Sequence, residues 1–99
     1  MSTYANVTID GREFCVRSDG WAKEDIRETV REYVKETKGK VKPGYIARVV
    51  VDAIVSEAAG DYYAPFQLGF CEFPSYHWII EIGERGGVKI KGGKVKPGR

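Results

Sequence analysis

The spacing of apolar residues changes twice along this chain, and those two changes constrain its fold more than any single motif. Residues 4–9 and 12–17 are two short β-prone runs around Asp10-Gly11, a dipeptide that accepts the positive φ values of a type I′ hairpin turn. From Lys23 to Lys38 the period becomes helical. Four tetrads, KEDI, RETV, REYV and KETK, repeat a basic, acidic and variable order, with an apolar fourth residue in the first three, and the segment predicts a helix over 22–38 opened by Asp19-Gly20. Four residues turn a helix by about 400°, so Ile26, Val30 and Val34, joined by Tyr33, form a slanted seam suited to packing across a sheet.

YIARVVVDAIVSEAAG is rich in β-branched residues, which would suit a strand at 45–51. Its polar residues Arg48, Asp52 and Ser56 recur every four positions, however, and predict a nearly buried helix over 44–59 with one narrow polar stripe. After Asp61 the period returns to two. FQLGFCEF, YHWIIEI and VKIK read as three strands, and the short connections Pro74-Ser75 and GERGG suit antiparallel hairpins between successive strands. The expected fold class is α+β: a single domain of order ββααβββ, with a mostly antiparallel sheet and two helices packed on one face. The domain is expected to span 1–91, followed by a basic Gly/Lys-rich tail at 92–99.

A length of 99 residues suits one domain, and 42% hydrophobic with 30% charged residues is the composition of an ordinary globular chain. The longest apolar runs are three residues, as in Val49 to Val51, so no membrane span is expected. The N-terminal residues show no secretory leader, and a cytoplasmic location is the expectation. Cys15 and Cys71 are accordingly read as reduced, buried thiols. Asn, Gln, Cys and Met together number five, a scarcity seen in thermophile proteins.

The formal charge of +2 conceals an asymmetry. Residues 1–84 carry ten Lys and Arg against fourteen Asp and Glu, whereas residues 85–99 carry six cations and no acid. Arg85, Lys89, Lys91, Lys94, Lys96 and Arg99 are therefore the candidates for contact with nucleic-acid phosphates. On the first helix, Lys23, Arg27, Arg31 and Lys35 form a basic stripe, but Glu24, Glu28, Glu32 and Glu36 beside it largely cancel its field. Gly83 to Gly86, GERG, is similar to the short backbone-clamping loop of KH domains. That loop joins two helices, whereas here strand-like runs flank it, and a hairpin turn is expected. The hexapeptide GKVKPG occurs twice, at 39–44 and 93–98, too far apart for a repeat architecture.

Catalysis is limited by inventory. His77 is the only histidine, so a two-histidine metal motif within one chain is excluded, and any Ser-His or Cys-His arrangement would have to recruit His77 with Ser75 or Cys71. Neither nucleophile sits in a recognisable activating setting. The chain is read as non-enzymatic, with no cofactor and no metal.

Seven of the twelve aromatic residues fall between Tyr62 and Trp78. With Phe66, Leu68 and Phe70 facing the helices together with Trp78, Ile80 and Ile82, strand alternation puts Cys71, Phe73, His77 and Ile79 on the opposite face beside Glu13, Cys15 and Arg17. That face is too apolar to be merely solvated, so either it is covered by the tail, a second copy or a partner, or the alternation shifts at the Pro74 break and these residues belong to the core. Tyr62, Tyr63, Phe73, His77 and Ile79 are the candidate contacts of a protein partner or homodimer, in an adaptor or inhibitor type of protein. The alternative is a nucleic-acid binder using the basic C-terminal segment.

Overall fold

A computed structural model describes residues 3–18 and 23–95. Seven elements follow in order: β1 Thr3–Ile9, β2 Arg12–Ser18, α1 Lys23–Thr37, α2 Ile46–Gly60, β3 Phe66–Leu68, β4 Tyr76–Ile82 and β5 Val88–Lys94. The fold class is α+β, with two helices on one face of a five-stranded sheet. The proposed N-terminal cap of α1 at Asp19-Gly20 lies outside the described residues. No helix among the described residues is long and apolar enough to cross a membrane.

The first hairpin forms as its turn residues dictate. Asp10 and Gly11 take φ values of 49° and 81°, the two positive values of a type I′ turn, and Thr3 to Ile9 pair with Ser18 to Arg12. Ala5, Val7 and Ile9 of β1 and Phe14 and Val16 of β2 then point to one face and are buried. On α1 the slanted seam of Ile26, Val30 and Val34 is buried in the same core, and Tyr33 packs at its margin. α2 contributes Ile46, Val50, Val51 and Ile54. The helix at 46–60 replaces the strand alternative, but it is less buried than its sequence suggests. Ala53 and Glu57 are exposed together with Arg48, Asp52 and Ser56, so its polar side is broad. Phe14 and Phe66 meet edge to face at 5.6 Å between ring centroids, and Trp78, Ile80 and Ile90 close the core from the other half of the sheet.

The strand order is β3-β2-β1-β4-β5. Three pairings are antiparallel, but β1 and β4 at the centre run parallel, with Ala5 to Ile9 beside Tyr76 to Ile80. This corrects the expected hairpin between the third and fourth strands: β3 pairs with β2, and two strands, β2 and β1, separate it from β4. β3 is also far shorter than the FQLGFCEF run. Extending the β2–β3 register places Pro65 opposite Arg17, where a residue with no N–H cannot continue the ladder. At the other end Gly69, with φ 83°, turns the chain out of the sheet after its N–H bonds the Glu13 carbonyl. Phe70 therefore does not face the helices, and Leu68 is half exposed.

β5 includes residues 92–94, so the sheet extends past the expected boundary at 91, while residues 96–99 lie outside the described residues. The two GKVKPG copies differ in structure where they can be compared. Residues 39–44 form the turn between the helices, and Gly93-Lys94 belong to β5. Gly92, paired with Trp78, has φ 123°, and a Cβ there would stand 2.0 Å from the carbonyl oxygen of His77. Gly92→Ala is expected to lower stability by about 2 kcal/mol or more, read from the urea unfolding midpoint. A loss below about 0.5 kcal/mol would show that β5 can shift away from β4 at little cost.

Candidate functional site

The face of the sheet opposite the helices carries Tyr4, Asn6 and Thr8 from β1, Glu13, Cys15 and Arg17 from β2, Gln67 from β3, and His77, Ile79 and Glu81 from β4. Because β3 and β4 lie on opposite sides of the β2–β1 pair, residues 69–75 must cross this face to connect them. They form a strap. Its ends are fixed by the Gly69 N–H to the Glu13 carbonyl (3.1 Å) and the Ser75 N–H to the Tyr4 carbonyl (2.8 Å). At its middle the Cys71 N–H donates to Oδ1 of Asn6 at 2.7 Å, and Cys71 is joined to Cys15 by a disulfide.

The expectation of two reduced thiols is therefore corrected. The cysteines are 56 positions apart in sequence, and only the crossing of the strap brings them together. The face expected to be covered by the tail, a second copy or a partner is crossed instead by residues 69–75, so Cys71 and Phe73 lie over it and not in one of its strands. Phe70 stands edge-on to the His77 ring at 5.3 Å, and His77 Nε2 shares a 3.2 Å hydrogen bond with Thr8 Oγ1. His77 is thus half-buried beneath the strap. Cys71, bonded to Cys15, offers no thiolate in this state.

The remaining aromatic candidates gather around the disulfide. Tyr62 and Tyr63 are 84% and 87% exposed and meet edge to face at 5.2 Å. They border a hollow of about 400 Å³ with Tyr4, Cys15, Arg17 and Gln67. A second hollow, of about 300 Å³, is lined by Tyr4, both cysteines, Glu72 and Phe73, which is 81% exposed. Tyr4 and Cys15 belong to both, so Tyr62, Tyr63, Tyr4 and Phe73 form one continuous surface. Three hydrogen bonds hold its first part: the Tyr63 N–H donates to Asp61 Oδ1, and Gln67 Nε2 donates to the carbonyls of Tyr62 and Ala64. Ile79 stands apart. It pairs with Thr8, four residues along β1 from Tyr4, or roughly 13 Å, and borders a separate hollow with Asp10 and Glu81.

Tyr4, Arg17 and the disulfide are absent from the sequence-derived contact set. The alternation of β1 was the available signal for Tyr4, since burying Ala5 and Val7 sends Tyr4 to the other face. No local pattern announces a disulfide between Cys15 and Cys71.

The basic candidates are dispersed. Arg85 is in the exposed β4–β5 turn; Lys89 and Lys91 are on the strap side of β5; Lys94, opposite Tyr76, is on the other side. Lys91 pairs with Glu81 at 3.4 Å. Lys96 and Arg99 lie outside the described residues. On α1, Arg31 pairs with Glu28 at 3.2 Å, as the i,i+3 spacing anticipates. Among the described residues no group of three or more His, Cys, Asp or Glu is placed to hold a metal ion. Comparison with protein-family models, curated proteins and solved structures finds no match.

On the far side of the molecule the Tyr33 hydroxyl donates to Glu57 and ties α1 to α2. Burial first, then the hydrogen bond to Glu57 and the charges of Glu57 and Glu36, raise the Tyr33 pKa above the ordinary tyrosine value. The neutral phenol is favoured in the folded state. Its stabilising effect is present below about pH 10, where the unfolded chain also keeps the proton, and is lost as pH rises toward the folded-state value. Urea midpoints at about pH 9 and about pH 11 are expected to fall further for the wild type than for Tyr33→Phe; equal falls would contradict this assignment.

Proposed function

We propose that the protein is a non-enzymatic partner-binding domain of the adaptor or inhibitor type, docking another protein on the surface formed by Tyr62, Tyr63, Tyr4 and Phe73. The carrying observation is the near-complete exposure of three large aromatic side chains around the disulfide. Aromatic side chains bury about 150–250 Å² each, so these three offer roughly 600 Å², most of the ~800 Å² that each partner contributes to a standard interface. Leaving such an area in water is uncommon for a monomer, and aromatic residues are frequent energetic anchors of interfaces. His77, covered by the strap, and Ile79, on a separate hollow, are peripheral contacts in this reading. A non-enzymatic role is supported by the engagement of Cys71 in a disulfide and of His77 with Thr8 and Phe70.

We place the protein in the cytoplasm. A disulfide is unusual there, but the intracellular proteins of hyperthermophiles are an exception, and the scarcity of Asn, Gln and Met is in keeping with such a chain.

Tyr63→Ala and Phe73→Ala are each expected to weaken partner capture at least about tenfold while leaving the unfolding midpoint nearly unchanged, because neither side chain supports the core. The experiment compares capture of the same partner by wild type and variants, with sedimentation of the pure protein to identify a second copy as the partner. Unchanged capture and unchanged oligomeric state in both variants would refute the proposal.

A further inference from the structure

We propose that the Cys15–Cys71 bond is a reversible clasp on the docking surface: a dithiol opens it, releases the middle of the strap from the sheet and divides the surface in two. This rests on the reading of that surface as a docking site and adds its regulation.

The two parts of the surface are held by different means. Tyr62 and Tyr63 are placed by the Asp61 and Gln67 hydrogen bonds, all within residues 61–67. Phe73 rides on the strap, whose middle is tied to the sheet through Cys71. Glu72 and Phe73 are exposed and bury nothing that would hold them once that tie is cut. After reduction the middle of the strap retains the hydrogen bond from the Cys71 N–H to Asn6, a Cys71 S–H within reach of the Ala5 carbonyl, and the edge contact of Phe70 with His77. No residue from 69 to 75 belongs to the buried core, so opening the strap leaves the packing between helices and sheet intact. Such local opening is the behaviour expected of a segment with few buried apolar contacts.

The bond is also accessible. Both cysteines are only partly buried, and both line the open hollow beside Phe73 and Glu72. A thiolate of the dithiol attacks one sulfur, the S–S bond breaks, and the other cysteine leaves as a thiolate and takes up a proton. The second thiol of the reductant then resolves the mixed disulfide and forms its own disulfide. Two electrons and two protons pass from the dithiol to Cys15 and Cys71. The reduced state has a place for one of those protons, because Cys71 Sγ lies 3.3 Å from the carbonyl oxygen of Ala5.

Hydrogen exchange on the full chain, before and after treatment with dithiothreitol and again after reoxidation, tests the clasp. Reduction is expected to speed exchange at Cys71, the one amide in the middle of the strap that is hydrogen-bonded, roughly tenfold or more, leave the β1 and β4 amides nearly unchanged, and reverse on reoxidation. Cys15→Ser should show fast strap exchange without reductant; if that variant does not fold, the reversible response of the wild type carries the test alone. Retained protection at Cys71, resistance of the bond to dithiothreitol under native conditions, or exchange of the whole sheet together with the strap would each overturn the clasp. The readout needs no partner. Should Tyr63→Ala and Phe73→Ala leave capture unchanged, docking fails while the exchange result stands; should they abolish capture while reduction leaves strap exchange and capture unaltered, only the clasp fails.

Discussion

The parallel pairing of β1 with β4 determines what the open face of the sheet becomes. With β2 and β3 on one side of β1 and β4 and β5 on the other, the chain leaving β3 must return over β2 and β1 to enter β4. The helices occupy one face, so the return is made on the other. Seven residues suffice for it, and they bring Cys71 onto Cys15 and Asn6, Phe70 onto His77, and Phe73 beside Tyr4. A hairpin between β3 and β4 would have needed no strap.

The disulfide reinforces a connection that the topology already demands. In the chain-entropy description, closing a loop of this length stabilises the fold by about 4 kcal/mol by restricting the unfolded chain. That is a large share of the 5–15 kcal/mol that holds a typical domain together. Its structural consequence is as important, since it fixes Phe73 relative to Tyr4 and so joins two aromatic clusters that the sequence separates by ten residues.

The helices and the first hairpin were legible in the sequence because their signals are local. Asp10-Gly11 specifies a turn by its backbone preference, the Ile26, Val30 and Val34 seam specifies a buried helix face, and Arg48, Asp52 and Ser56 specify a polar stripe. The C-terminal sheet was legible in content but not in order. FQLGFCEF alternates well enough to read as one long strand, yet Pro65 and Gly69 confine pairing to three residues, and the choice of β2 over β4 as partner is made by contacts distant in sequence. The same limit applies to the site. Tyr62, Tyr63 and Phe73 were identified by their clustering, whereas Tyr4 and Arg17 join Tyr62 and Tyr63 through the pairing of β3 with β2, and Cys71 and Phe73 are added by the crossing. His77 and Ile79 share the sheet face but not the hollows around the disulfide.

The crossing itself is tested most directly by peptide mapping of the unreduced protein after proteolysis, with free thiols blocked beforehand. The expected product is a single linked pair of peptides, one containing Cys15 and the other Cys71. Recovery of both cysteines as blocked thiols from folded protein that has first been exposed to a disulfide oxidant would contradict the placement of Cys71 over Cys15 by the strap, and with it the continuous surface built around the disulfide.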